Sequence, residues 1–435
     1  MPNTQPPPKH EHETLHFPPG FLWGAATSAH QVEGQNTNSD WWEWEKTHLP
    51  ENKRSGKVVD QYHRFEQDFE LVTKIGHNAH RLSIEWSRIE PEEGKFDEAA
   101  IEHYIQVLSS LKKKGLTVML TLHHFTNPLW LAKNGGWENF KTPFYFERFV
   151  KTVVPRLESY VDLWVTINEP SVLVWCGYIE AKWPPQKKNK ISAIKAMWNL
   201  SRAHKKAYRI IHQFVPNAAV GIAHNVSSFE AFHHHSILED FMEWFMDIST
   251  NHLFYYLTGK NTHDFLGLNY YFNQYINFSG EGHFPEIVDI ETTKKDVSDL
   301  GWEIHPEGIF DVIMDFSDYH KPVYITENGL ASTNDDRRVR FLLSYLKEIY
   351  HAIQSGVQVK GYFHWSLMDN YEWSDGFSPR FGLIEVDYKT LQRTPRPSAY
   401  VYQEIIENNG IPHYLLKLLG HSVDVKDVLK KDQKA

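Results

Sequence analysis

Val165-Thr166-Ile167-Asn168-Glu169-Pro170 is a short apolar run that ends in a glutamate and a chain breaker, and Val323-Tyr324-Ile325-Thr326-Glu327-Asn328-Gly329 repeats this layout. Each segment is typical of a buried strand that places a carboxylate at its C-terminal end, where Pro170 or Gly329 turns the chain away. In a barrel of parallel strands, these ends open on one face, so distant carboxylates meet in one pocket. The alternative is that both glutamates cap neighbouring helices.

Apolar, β-prone runs of the same kind recur along the whole chain. The eight runs are residues 21–27, 79–86, 117–123, 161–168, 219–224, 265–271, 323–327 and 359–365. Helical patterns separate them, for example residues 97–115, which begin at a capping Asp97 and end at Gly115, and residues 341–353. The alternation predicts an α/β fold, a single (β/α)8 TIM barrel. A doubly wound open sheet is the main competitor, but no Gly-rich phosphate turn follows any of the runs.

Composition restricts the class of protein. With 41% hydrophobic residues over 435 positions, the chain has enough apolar material for a large core. The net charge of −10 argues against a nucleic-acid partner, which would need a basic face. Cys176 is the only cysteine, which favours a reducing, cytoplasmic setting without disulfides.

The two ends of the chain are expected to lie outside the folded unit. Residues 1–16, which are rich in Pro, His and Glu, are predicted to be a disordered extension. They do not have the basic start and following apolar stretch of a signal peptide, so none is expected here. Residues 17–410 would form the catalytic barrel, and residues 411–435 a short helix followed by disorder. Uninterrupted apolar stretches of membrane-spanning length are also missing, so no membrane partner is expected.

Polar and aromatic residues fall at the ends of most of the predicted strands. They are Arg81, Glu85, His123, His124, Asn168, Glu169, Asn269, Tyr271, Glu327 and Trp365. A set of this size describes a lined pocket rather than isolated strand ends. The segment after Trp365 adds Asp369, Glu372 and Trp373. Indoles stack on sugar rings and carboxylates bind pairs of hydroxyls, so the pocket is predicted to bind a carbohydrate.

Seven segments extend this pattern into a family resemblance. They are residues 21–34 (FLWGAATSAHQVEG), 81–89 (RLSIEWSRI), 122–125 (LHHF), 166–170 (TINEP), 264–271 (DFLGLNYY), 325–329 (ITENG) and 365–373 (WSLMDNYEW). In this order they resemble glycoside hydrolase family 1, the β-glucosidase and β-galactosidase group. The resemblance spans about residues 17 to 410. It implies a small β-glucoside or oligosaccharide as the substrate, with no cofactor.

The resemblance also implies catalytic roles. Glu327 would be the nucleophile and Glu169 the acid/base of a retaining β-glycosidase, which requires two carboxyl groups about 5–5.5 Å apart. Arg81 would be the cation beside Glu327, and Tyr271 the phenol that orients it. For activity near neutral pH, the Glu169 pKa must be raised by burial and nearby negative charge.

Sugar-binding roles follow from the same resemblance. The implied ligands of the non-reducing sugar are Gln31, His124, Asn168, Asn269, Trp365, Glu372 and Trp373. Trp365 would be the stacking floor, and Asn168 would reach the 2-hydroxyl, whose hydrogen bond strengthens in the transition state. His123 is the alternative to His124, which is preferred because it immediately precedes Phe125.

Two residues restrict the class of sugar substrate, and two alternative functions remain open. Glu372 would repel a phosphorylated sugar, and Glu169 distinguishes the chain from thioglucosidases, which carry glutamine there. Residues 226–263 and 330–340 are shorter than in many members of the family, which leaves the leaving-group preference open. A transglycosylase would use the same residues, and a catalytically silent glycan-binding barrel would not need both glutamates.

The His233-His234-His235 run does not have the spacing of a metal site, so no metal is predicted.

Overall fold

The computed structural model describes residues 14–233, 236–277, 286–287, 296–420 and 425. The strands are β1 (Thr14–His16), β2 (Leu22–Ala26), β3 (Ala79–Ser83), β4 (Thr117–Thr121), β5 (Leu163–Asn168), β6 (Ala219–Ala231), β7 (Leu266–Asn277), β8 (Glu286–Ile287), β9 (Val323–Asn328), β10 (Val359–Trp365), β11 (Ile384–Val386), β12 (Arg393–Pro395) and β13 (Gly410–Pro412). The helices are α1 (Ala29–Val32), α2 (Asp40–His48), α3 (Gln61–Lys74), α4 (Trp86–Ile89), α5 (Glu98–Lys113), α6 (Leu129–Lys133), α7 (Thr142–Leu157), α8 (Pro170–Val174), α9 (Lys190–Phe214), α10 (Ile237–Asp247), α11 (Leu253–Thr258), α12 (Pro306–Phe316), α13 (Asp335–Gln354) and α14 (Pro397–Glu407).

Eight of the strands close into a parallel barrel. The order around the ring is β2, β3, β4, β5, β6, β7, β9 and β10, and β10 pairs with β2 to complete it. Each barrel strand overlaps one of the eight predicted runs. The predicted α/β class and single (β/α)8 barrel are therefore confirmed.

The barrel has an inner and an outer apolar layer. Alternate strand residues form a small inner cluster, to which the strands contribute Ala26, Ala79, Met119, Leu163, Val165, Ala223, Phe363 and Trp365. A much larger cluster lies between the outer strand faces and the helices. Arg81 shares the inward side of β3 with Ala79, because successive strand residues point to opposite faces.

Local sequence signals set several of the element boundaries. Asp97 accepts hydrogen bonds from the amides of Ala99 and Ala100 at the start of α5, as predicted from its position. The chain leaves that helix at Gly115, whose φ of +78° lies in the left-handed region. Asn334 caps α13, which begins six residues before the predicted start at residue 341.

Two barrel strands are longer than predicted. The sequence pattern placed their ends at residues 224 and 271, whereas β6 and β7 continue to Ala231 and Asn277. The strands pair with each other as far as Ala231 and Ile276. This mutual pairing satisfies backbone groups that would otherwise need another partner.

The predicted domain boundaries need one correction. Residues 14–16, assigned to a disordered extension, form β1, which pairs with β13 across the 410/411 boundary. These backbone hydrogen bonds hold both ends of the described chain against the barrel. Residues 413–419 then form a 3₁₀ helix that buries Leu415 and Leu418. The disorder predicted for residues 1–13 and for most of 421–435 lies outside the described residues.

Candidate active site

Glu327 lies at the end of β9 with two strong donors on its carboxylate. Nη1 of Arg81 donates to Oε1 at 2.5 Å, and the Tyr271 hydroxyl donates to Oε2 at 2.6 Å. All three side chains are buried, with Arg81 and Glu327 only 1% and 4% exposed. Each oxygen of this carboxylate thus accepts one short hydrogen bond from a buried donor, and one of the two donors is a guanidinium.

Glu169 has a different environment at the end of β5. Amide nitrogens of Asn269 and Asn225 donate to its Oε1 at 2.7 and 3.4 Å. Burial, followed by the negative charge of Glu327, raises the pKa of Glu169 to about 8. The sequence-based expectation of a raised Glu169 pKa thus agrees with the causes found in the structure. Glu169 is therefore largely protonated at neutral pH.

Tight chain turns place the two glutamates at the mouth of the barrel. Glu169 has a φ of +44°, and Pro170 then opens α8, where its missing N–H is not needed. At Gly329 an added Cβ would lie 1.7 Å from the carbonyl oxygen of Trp365. A side chain is excluded there because β9 and β10 approach too closely as they leave the barrel.

Asn168 and Asn269 connect the two glutamates. The Asn168 Oδ1 accepts from Nη2 of Arg81 at 2.6 Å and from Nδ2 of Asn269 at 3.3 Å. The same Asn269 amide bonds Glu169, and the Asn269 Oδ1 accepts from Thr326 at 2.6 Å. A continuous hydrogen-bond network thus runs from Glu327 through Arg81 to Glu169.

Trp365, Glu372 and Gln31 form one wall of the same pocket. The Trp365 Nε1 donates to Glu372 Oε1 at 3.3 Å, and the Gln31 amide donates to Glu372 Oε2 at 3.2 Å. Burial raises the pKa of Glu372 well above its ordinary value, despite these two hydrogen bonds. The wall presents a carboxyl group beside an indole face, which suits a sugar ring with hydroxyls at its edge.

His123 and His124 were the two candidates for the sugar-binding histidine, and the structure gives them different surroundings. The His124 ring stacks between Trp365 and Trp373, at centroid distances of 6.2 and 6.1 Å, and its Nε2 lies 3.2 Å from the Asn168 amide. Burial and the Arg81 charge lower the pKa of His124 well below its ordinary value, so the ring is neutral. His123 instead packs among core aromatic rings. His124 is the one placed with the predicted sugar ligands.

The structure adds residues that the sequence reasoning missed. Asn225 directly follows the predicted fifth run, a position that could have identified it, and it donates to Glu169. Trp302 packs edge-on against Tyr271 at 5.6 Å, and no strand pattern marks its position. Glu85, expected among the pocket residues, instead accepts hydrogen bonds from Ser87 and Thr126 at the start of α4.

Trp373 is held from behind by other aromatic residues. Its ring lies 4.6 Å from Trp41, 5.1 Å from Phe125 and 5.9 Å from Trp183. The same three residues line a cavity of about 440 Å³. Packing of this kind restricts the Trp373 ring to the pocket wall.

One group among the described residues has the composition of a metal site. His252 Nε2 lies 2.5 Å from Asp315 and 3.5 Å from Asp247, and its Nδ1 lies 2.8 Å from the Tyr319 hydroxyl. Both ring nitrogens thus have protein partners, which describes a histidine held by hydrogen bonds. His233 is exposed and pairs with Glu239, while residues 234 and 235 lie outside the described part. None of the described helices has the length and apolar character needed to cross a membrane.

Comparisons with known proteins agree with this geometry. The family model described as Glycosyl hydrolase family 1 matches residues 13–257 and 245–411. A beta-galactosidase of Pyrococcus woesei is 33% identical over 91% of this chain and 98% of that protein, and beta-glucosidase A of Thermotoga maritima is 31% identical over 91% and 98%. The solved structure of a beta-glycosidase from Pyrococcus horikoshii has a TM-score of 0.87 at 38% identity, covering 94% of this chain and 99% of that one. The chain belongs to glycosyl hydrolase family 1 and is a glycoside hydrolase.

Proposed function

We propose that the protein hydrolyses terminal, non-reducing β-D-glucosyl residues, and β-D-galactosyl and β-D-fucosyl residues as well, with retention of configuration. The observation that carries the proposal is the contrast between two buried glutamates. Glu327 is paired with Arg81 and Tyr271, whereas Glu169 has only amide donors and a pKa of about 8. Such a pair supplies a carboxylate and a carboxylic acid at the same pH.

The first chemical step uses both groups at once. The Glu327 carboxylate attacks the anomeric carbon, and the bond from that carbon to the leaving oxygen breaks as Glu169 donates its proton to the oxygen. The product is a glycosyl ester of Glu327, and Glu169 is left ionised. Glu327 has no negative charge in this ester. One cause of the raised Glu169 pKa is therefore absent, and the Glu169 pKa falls.

The second step reverses these roles. Ionised Glu169 takes a proton from a water molecule, whose oxygen attacks the anomeric carbon and releases Glu327 as a carboxylate. Arg81 and Tyr271 stabilise that returning charge, since they already bond it in the resting site. Two displacements at one carbon give net retention.

The pocket wall supports an unphosphorylated sugar in the same proposal. Glu372 and Gln31 would bind hydroxyls on the sugar edge, Trp365 would stack beneath the ring, and His124 would act as a neutral hydrogen-bonding group. A phosphate would meet the Glu372 carboxyl group at the bottom of a buried wall. We also infer a cytoplasmic location, because Cys176 is the only cysteine of the chain.

The test is azide rescue with 4-nitrophenyl β-D-glucoside and β-D-galactoside as substrates. Glu327→Ala should lose activity and regain it with azide as the α-glycosyl azide, because azide then replaces the nucleophile. Glu169→Ala should regain its turnover with azide as the β-glycosyl azide, since azide attacks the glycosyl ester. Opposite anomers from the two variants assign the two roles separately.

A matched carboxylate provides the control. Glu180 is an exposed glutamate eleven residues after Glu169 in the sequence, and it pairs with Lys182 at 3.0 Å, so Glu180→Ala should keep full activity. Absence of turnover by the folded wild-type protein on both aryl glycosides would refute the proposal in favour of a glycan-binding role. The same azide anomer from both variants would refute the assignment of roles.

A further inference from the structure

Helix α10 exposes its apolar side to solvent. Ile237, Phe241 and Trp244 are 86%, 54% and 57% exposed, and Leu238 and Phe245 are also exposed. At 3.6 residues per turn, the five side chains fall within an arc of about 120°. These five residues are called the α10 stripe below. A surface helix of a globular protein usually turns such a stripe toward the core.

Hydrogen bonds fix this inverted orientation. The buried Glu239 accepts from the backbone amide of His233 at 2.7 Å and lies 2.9 Å from its ring Nδ1. Glu243, one turn further on, accepts from the backbone amide of Ala231 at the end of β6 at 3.0 Å. The carboxylates of the inward face thus satisfy backbone donors after the longest barrel strand. Rotating the helix to bury its stripe would break these bonds.

The exposed area is large for a monomer. A Phe or Trp side chain contributes about 150–250 Å² when fully exposed, so the stripe presents roughly 500 Å² of apolar surface. The largest apolar patch on a typical monomer is about 300–600 Å² and often functional. Two copies of the stripe packed together would bury roughly 1,000 Å², which is about the minimum for a specific protein interface.

The arrangement of the stripe suits contact with itself. Phe241 lies near the middle of α10 in sequence and at the centre of the exposed arc, with Ile237 one turn before it and Phe245 one turn after it. In an antiparallel pair about a two-fold axis, Phe241 would meet its own copy and Ile237 would meet Phe245. The four charged residues of α10 are all acidic, which disfavours an anionic membrane surface as the occupant.

We propose that the protein forms a two-fold symmetric dimer in which the α10 stripes of two copies pack against each other. Asp240 and Asp247 lie along one edge of the stripe. An antiparallel pair places these edges of both copies on the same side of the interface. Added salt therefore strengthens the dimer by screening their repulsion.

The first test is analytical ultracentrifugation of the full chain over a range of concentrations and salt. Wild type should dimerise, and more tightly in higher salt. Phe241→Glu should weaken association roughly 100-fold, because it buries two like charges at the axis. Ile194→Ser is the matched control, since Ile194 is a 70% exposed residue on α9, outside the stripe. Wild type that remains monomeric at all concentrations would overturn the proposal, as would dimerisation lost only in Ile194→Ser.

A cross-linking test reports geometry directly. Phe241→Cys should form a disulfide-linked dimer under mild oxidation, because two copies of this position meet at the axis. Wild type is the control, since burial raises the pKa of its single Cys176 to about 12 and leaves that thiol unreactive. Circular dichroism and thermal unfolding verify that each variant is folded. A folded Phe241→Cys variant that stays unlinked, or a monomer that instead binds zwitterionic vesicles through the stripe, would refute the dimer.

Discussion

Replacing Glu169 by glutamine should stabilise the protein while it removes the proposed acid. The substitution keeps a side-chain oxygen that can accept the Asn269 hydrogen bond at 2.7 Å. It removes a buried group whose ionised form is penalised by desolvation and by the Glu327 charge. Burying the titratable carboxyl of Glu169 lowers the free energy of unfolding of the wild type. Glu169→Gln does not have this cost, so the variant should be more stable.

The magnitude and sign follow from the Glu169 pKa. It rises from an ordinary 4.5 to about 8 on folding. Below pH 4.5 both folded and unfolded states hold the proton, so the wild-type carboxyl costs nothing relative to glutamine. Between pH 4.5 and 8 the unfolded state releases the proton while the folded state keeps it, so wild-type stability falls as pH rises. At about 1.4 kcal/mol for each pH unit, the difference reaches about 3 kcal/mol at pH 7 and levels off above pH 8.

Thermal and urea unfolding at several pH values measure this difference. For a chain of this length, 3 kcal/mol corresponds to a Tm increase of about 3 °C at pH 7. The gap between Glu169→Gln and wild type should close near pH 4.5. In a Glu327→Gln background the gap at pH 7 should shrink, because the second cause of the raised pKa is gone. A gap that does not change with pH would refute the reasoning, and so would a variant that is less stable at pH 7.

Three further substitutions test the contacts around the site. Tyr271→Phe removes the 2.6 Å bond to Glu327 and should lower kcat roughly 10- to 100-fold with little change in Tm, so an unchanged kcat would contradict the role given to the phenol. Arg81→Met leaves a buried carboxylate unpaired and should lower the free energy of unfolding by about 3–5 kcal/mol, part of which Glu327→Gln in the same chain should restore. Gly329→Ala places a methyl group against the Trp365 carbonyl and should destabilise the protein by about 1–3 kcal/mol or more and reduce activity, whereas a fully active and stable variant would refute the close approach.

Much of the barrel was predictable because its signals are local. All eight predicted runs overlap barrel strands, since each run is apolar, β-prone and bounded by turn residues. The ends of β6 and β7 were not predictable in this way. Their last residues pair with each other, and nothing within either segment states that the other lies beside it. The strand at residues 14–16 was missed for the same reason, because its partner is almost 400 residues away.

The site shows the same division. The sequence motifs named Glu169, Glu327, Arg81 and Tyr271, together with the wall residues Gln31, Trp365 and Glu372. The structure brings all of them into one hydrogen-bonded pocket. Asn225 and Trp302 were missed, because their importance comes from what they touch across the barrel.

By itself, the sequence determined the alternation of strands and helices and the presence of a glutamate at the end of two strands. Periodicity and chain breakers act over a few residues, so they can be read without a fold. The family resemblance implied that these two glutamates have different roles, but only the tertiary structure decided which groups surround each of them. Arg81 and Tyr271 surround one carboxylate and amides surround the other, and electrostatic energy depends on such distances in space. The tertiary structure also determines that the apolar face of α10 points outward. Glu239 and Glu243 accept hydrogen bonds from backbone amides at and just after the end of β6, which lie beside them only in the folded protein.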